Sequence, residues 1–289
     1  MRYSMKHLMF VIVILLSLEP ATLFAQEPAA TVPVSAPQTI ESQQQQRTIS
    51  AAELFALMAG EAEKGSSQAM LTMGNLYERG IGAPRHFGKA LEWYTKAANA
   101  NMAEGYYNMG TCYEIGMGTA VDPSRAVANF EKASGMGLAI ASMKLAELHF
   151  AGSLVSKDDS KAFSYLTSAA NAGHAAAANQ MGVILLEGLL GQAKDEKQAF
   201  AMFTKAADLG NLEAIKNIAV IYKDGLGQEA SLEKALMWYT VVQKGGYQGD
   251  LTPVMENLKS DLDKAQIQKA ETEADAWLAE FSKRTGARQ

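Results

Sequence analysis

Small residues recur along this chain at an almost constant interval. Gly74, Gly110, Ala146, Gly182 and Ala219 stand 36, 36, 36 and 37 residues apart. Gly80, Gly116, Gly152, Gly188 and Gly225 keep the same spacing, as do Ala90, Ala126, Ala162, Ala199 and Ala235. One extra residue falls between Gly188 and Asp195, and Asn101, Gly137, Gly173, Gly210 and Gly246 close the units. Such a period, held over about 180 residues, is the mark of stacked supersecondary units, none of which buries its apolar face alone. It overrides the rule of thumb by which 289 residues would make about two domains.

Each unit reads as two antiparallel helices. In Gln68 to Arg79 the residues Ala69, Met73, Leu76 and Tyr77 fall at helical spacing, and Gly80 is a stop residue at the C-terminal end. Asp122, Asp158, Asp195 and Ser231 share one column and predict an N-cap for the second helix, with Pro123 at its first position. His86 holds that column in the first unit and predicts a poorer cap. The second helices carry Trp93-Tyr94, Phe130, Tyr165-Leu166, Met202-Phe203 and Trp238-Tyr239, then small residues such as Ala97-Ala98 and Ala206-Ala207. Small columns let helices approach closely, and large ones fill the space between units.

The pattern Ala69-x3-Met73-Gly74-x-Leu76-Tyr77-x2-Gly80-x-Gly82, continued by Lys89-Ala90-x2-Trp93-Tyr94-x2-Ala97-Ala98, resembles the Sel-one-like repeat (SLR) family, relatives of the tetratricopeptide repeats. The resemblance covers Gln68 to Gly246. It implies an all-α, right-handed α-solenoid of five helix-turn-helix repeats that binds other proteins, with the first helices on its concave face. Leu154 and Leu190 replace the loop glycine found at Gly82, Gly118 and Gly227, so those two loops are expected to differ in shape.

The ends are expected to be caps, because a solenoid must cover its last apolar face. Residues 50–67 hold a helix closing at Gly65, in which Phe55 falls in the column of Leu91 and Leu57 in that of Trp93. The repeat array spans 68–250. Residues 251–289 form C-terminal capping helices and a tail: Thr252-Pro253 opens one helix, and Trp277 anchors the next.

Ahead of the array lies an address. Residues 1–25 combine Arg2 and Lys6, the apolar run from Leu8 to Leu18, and Leu23-Phe24-Ala25, the pattern of a cleavable signal peptide. The run is about half the length a membrane span needs, so cleavage after Ala25 would leave no stable span. The expected location is the periplasm or the exterior. Residues 26–49 turn to Pro, Ala, Thr, Ser and Gln, a flexible linker with almost nothing to bury.

Composition narrows the chemistry. With 26 basic and 31 acidic residues the net charge is −5, which argues against nucleic acid as a partner. Cys112 is the sole cysteine, and it lies in the column of Leu76, Leu148, Ile184 and Ile221, a core position. His149 shares a packing column with Tyr77, Tyr113, Leu185 and Tyr222, and no histidine pair has metal-ligand spacing. Asp158-Asp159 sits at a helix start, where acids favour the positive dipole end. No Gly-x-Ser-x-Gly occurs, and the glycines are spent on repeat punctuation. Neither catalysis, cofactor nor metal is expected.

Function is therefore sought on the surface of the first helices. Following i, i+4 and i+7 gives Leu71, Asn75 and Glu78; Tyr107, Thr111 and Glu114; Met143, Glu147 and Phe150; Asn179, Val183 and Leu186; Lys216, Val220 and Lys223. The groove runs from acidic through apolar to basic, and Leu154, Val155, Leu189 and Leu190 add apolar loops beside its middle. An apolar patch rimmed by charge is a usual docking site. The expected partner surface is Tyr107, Glu114, Met143, Glu147, Phe150, Leu154, Val183, Leu186 and Leu190, receiving a helix or extended segment of an envelope, signalling or host protein. The alternative is a glycan or peptidoglycan binder using Tyr107 and Tyr113 as stacking surfaces. An enzyme comes third.

Overall fold

The computed structural model of the chain describes residues 49–286, which belong to one compact unit. The expected leader 1–25 and nearly all of the linker 26–49 lie outside the described residues. Among those described there are thirteen α-helices and no strand. Helix α1 is Ala51–Glu63. Five helix pairs follow: α2 (Ser67–Arg79) with α3 (Phe87–Asn99), α4 (Ala103–Ile115) with α5 (Pro123–Gly135), and α6 (Ala139–Ala151) with α7 (Asp159–Asn171). The last two pairs are α8 (Ala175–Glu187) with α9 (Glu196–Asp208) and α10 (Leu212–Asp224) with α11 (Leu232–Lys244). Helices α12 (Thr252–Ser260) and α13 (Lys264–Thr285) complete the chain. The pairs are units I to V.

The boundaries are set by local chemistry. Oδ1 of Asp122, Asp158 and Asp195 accepts from the amides of Arg125, Lys161 and Gln198 at 3.0, 2.9 and 2.9 Å, and Ser231 Oγ accepts from Lys234 at 3.3 Å. His86, expected to cap less well, caps all the same: its Nδ1 accepts from the Lys89 amide at 3.2 Å. At α1 the cap is reciprocal, Ser50 accepting from Glu53 while the Glu53 carboxylate accepts from the Ser50 amide. Each first helix in units I to V ends at its column glycine in the left-handed region.

Helices pack chiefly against their neighbours in sequence, as a stacked array requires. Within a unit the small column of the first helix receives the large column of the second. A Cβ placed on Gly74, Gly110 or Gly182 would lie 2.3, 2.6 or 2.6 Å from the rings of Tyr94, Phe130 and Phe203. Each of those rings is fully buried. Of the two units with alanine in the glycine column, unit III has the smaller Leu166 in the ring column opposite Ala146, and unit V has Tyr239 there opposite Ala219. Gly182→Ala is accordingly expected to destabilise. Its gain in helix propensity, up to about 1 kcal/mol, is outweighed by overpacking of about 1–3 kcal/mol. Adding Phe203→Leu, which recreates the unit III pairing, should recover part of the loss in a urea titration followed by circular dichroism.

Between units, small residues meet again: a Cβ on Gly105 would lie 2.5 Å from the Ala98 nitrogen. The series breaks at unit V, where Val242 stands in the column of Ala97, Ala133, Ala169 and Ala206. Outside its own unit, α11 here packs chiefly on α13 rather than on the next helix in sequence, α12. Trp277 of α13 meets Trp238 edge-on at 5.4 Å and stacks on Phe281 at 5.1 Å, so the expected capping anchor is in place.

The two loops with leucine diverge. Leu154 holds φ +24 in a loop with the same pattern of turns and bends as those of units I, II and V. Unit IV, with its extra residue, turns differently and places both Leu190 (φ +52) and Gly191 (φ +74) in the left-handed region. The expected change of shape is thus a reduced φ in unit III and a different turn in unit IV.

Candidate partner-binding face

The first helices of units II to IV place Tyr107 and Glu114 on α4, Lys144, Glu147 and Phe150 on α6, and Val183 and Leu186 on α8. Successive spacings of three residues bring Lys144, Glu147 and Phe150 to one side of α6. All seven side chains are half-buried.

The structure divides the seven apolar and aromatic residues among the nine expected into three groups. Met143 is 5% exposed and belongs to the principal core cluster, which corrects its expected place on the surface. The reason is its helix position: the equivalent Leu71 and Asn179 are also buried, closed in by neighbouring helices. Leu154, Val183, Leu186 and Leu190 keep some exposure but rest on core clusters, Leu154 on the group holding Phe130 and the others on the principal one. Tyr107 packs on that Phe130 group too, its ring tilted 50° at 5.5 Å from the Phe130 ring. Phe150 differs from all of these, for it belongs to none of the core clusters among the described residues. The Lys157 ammonium lies 5.6 Å from its ring centre.

The charge pattern expected along the groove is largely satisfied within the chain. Glu78 lies against the Tyr94 hydroxyl, which also sits 2.8 Å from Asn75 Oδ1. Glu114 pairs with Lys144 at 2.8 Å. At the basic end Lys216 pairs with Glu213 and donates to the Tyr247 hydroxyl at 2.7 Å, while Lys223 lies 3.4 Å from Asp224. The sequence gradient is therefore muted at that end. Glu147 is the exception. Burial pushes its carboxyl above the usual carboxylate range, the Glu114 charge adds to the rise, and Lys144 opposes it. Burial, with Glu147 and then Glu114, also raises the Tyr107 phenol.

The spacing rule missed Lys144, which lies one residue beyond the chosen column. Aligning units would have found it, since Thr72, Asn108, Lys144, Gln180 and Asn217 share one half-buried position. Two members reach across units, Lys144 to Glu114 and the Asn217 amide to Asn179 Oδ1 at 3.0 Å.

Five consecutive matches to the Sel1 repeat family cover residues 67–102, 103–138, 139–174, 175–211 and 212–240. The chain belongs to the Sel1 repeat family. Among solved structures, a Sel1 repeat protein from Oxalobacter formigenes is similar at 30% identity and TM-score 0.59, over 69% of this chain and 80% of that one. The SLR-fold protective antigen c5321 of uropathogenic Escherichia coli is similar at 22% identity and TM-score 0.47, over 83% of this chain and 60% of that one. No curated protein matches the chain in sequence. Sel1 repeat proteins are in general protein–protein interaction scaffolds.

Within this Sel1 array the other candidate residues are packing elements. Cys112 is fully buried, and burial followed by the nearby Glu78 pushes its thiol up to about 12, far from thiolate formation. His149 is 5% exposed and stacks on Tyr165 at 5.6 Å. His174, half-buried, caps α8 through Nδ1, and burial lowers its pKa. The Tyr113 ring lies beneath the Arg125 guanidinium at 5.4 Å, and the Tyr107 ring packs on Phe130, so the two expected sugar-stacking surfaces already have partners within the chain. No described helix is long and apolar enough to cross a membrane.

Proposed function

We propose that this Sel1 array is a non-catalytic adaptor, exported by the leader at residues 1–25. It holds a partner protein of the bacterial envelope on the first-helix face of units II to IV. The observation that carries this reading is Phe150: a large apolar ring, half-buried yet outside every core cluster of the described residues, on the same side of α6 as Glu147. Aromatic side chains are the commonest anchors at protein interfaces. The buried, protonated Cys112 thiol favours a non-catalytic role over a cysteine nucleophile.

Two substitutions separate docking from folding. Phe150→Ser is expected to change stability by less than about 1 kcal/mol, because the half-buried ring belongs to no core cluster of the described residues, while cutting partner capture by in vivo crosslinking at least tenfold. Leu186→Ser should lower the thermal midpoint, because Leu186 rests on the principal core. If Phe150→Ser unfolds the array, or if capture is indifferent to it, the face is not the docking site. Fractionation of cells expressing the full chain tests export, and retention in the cytoplasm would overturn that part.

A further inference from the structure

The charges on the partner face do not balance. Glu114 and Glu147 contribute two carboxylates, and Lys144 offers one ammonium, which lies 2.8 Å from Glu114; Lys157, over the Phe150 ring, lies 3.5 Å from Asp159. Glu78, Lys216 and Lys223 each have a polar or charged neighbour within the chain. Glu147 thus shares Lys144, three residues before it on α6, with Glu114, and its own surface is partly removed from water. Desolvating two carboxylates around one shared cation is costly. A site of this kind gains most from a cation brought to it from outside.

Its surroundings are apolar on one side. Phe150 is three residues further along α6, and Val183 and Leu186 lie on the adjacent first helix α8. A side chain reaching Glu147 from solvent would therefore lay an aliphatic stem beside these residues while its head meets the carboxylate. Arginine and lysine combine a charged head with such a stem.

Building on the docking face proposed above, we infer that the partner segment carries an arginine or lysine that pairs with Glu147, next to an apolar residue that seats against Phe150. Complementarity of this kind sets specificity: an acidic residue at the same point of the partner would meet Glu114 and Glu147 together and be repelled. The partner is a protein segment that is locally basic and apolar, whatever its overall charge.

The test pans a phage-displayed library of random twelve-residue peptides against the full chain. Enriched peptides are then measured by fluorescence anisotropy against the full chain and its Phe150→Ser, Glu147→Gln and Glu147→Lys variants. Expected are peptides that depend on Phe150, carry Arg or Lys beside an apolar residue, and lose about tenfold in affinity on Glu147→Gln, as loss of one partly desolvated charge pair implies. Glu147→Lys should favour acidic peptides instead. Thermal unfolding of Glu147→Gln at or above the wild-type midpoint shows that the loss is not one of folding. Peptides that need Phe150 but lack a basic residue, or bind Glu147→Gln equally well, overturn the inference and leave the docking face standing. Peptides indifferent to Phe150→Ser overturn both.

Discussion

Replacing Phe130 by alanine should cost about 3–5 kcal/mol, the usual range for a fully buried aromatic. The site has little means of closing the hole. Opposite the ring stands Gly110, with no side chain to move inward, and the ring occupies the very space into which a Cβ there would project, at 2.6 Å. The ring also serves the next unit, since Leu145 and Leu148 of α6 belong to its cluster and the Lys144 ammonium lies 5.9 Å from its centre. Loss should therefore loosen the joint between units II and III as well as unit II itself. In an array where each unit holds only its neighbours, such a weak joint divides the cooperative transition. Urea unfolding followed by circular dichroism should show a lower midpoint and a shallower slope. Because Tyr107 leans on Phe130, the variant should also weaken partner capture. An unchanged midpoint would mean that the ring contributes little to the joint.

Gly118→Ala is expected to be nearly as damaging, for a backbone reason. Gly118 holds φ +75, where a Cβ costs about 1–2 kcal/mol. That Cβ would also stand 2.4 Å from the Phe87 carbonyl oxygen and 2.8 Å from the Gly88 nitrogen, so main chain rather than a rotatable side chain would have to move. Adding overpacking of about 1–3 kcal/mol gives about 2–5 kcal/mol in total. At about 2–4 °C per kcal/mol for a chain of this size, a calorimetric scan should show a fall of several degrees. An alanine tolerated without loss would mean that the loop can leave the start of α3 freely.

The contrast with Leu154 shows what a single sequence discloses. The repeat columns announced helices, caps and the loop glycine, and the structure has each of them. They did not reveal how unit III would hold a leucine at the glycine position: its φ eases to +24, and the side chain joins the Phe130 cluster next door. That adjustment depends on the neighbouring unit, which a column does not display. The candidate face was legible to the same extent. Helical spacing found Glu147 and Phe150, but it also offered Met143, whose exposure is decided by flanking helices. It placed Lys216 at the basic end of the groove, whereas the Tyr247 hydroxyl, 31 residues further on and beyond the fifth unit, accepts a hydrogen bond from its ammonium.

Val242 bears on how a chain of this kind can grow. A further 36-residue unit spliced into the interior would find alanine at the end of every second helix and slide into register. The same unit appended behind α11 would meet a branched side chain that keeps the next helix at a distance. The array is thus expected to accept an added unit from within more readily than at its tail, where α13 already packs on α11.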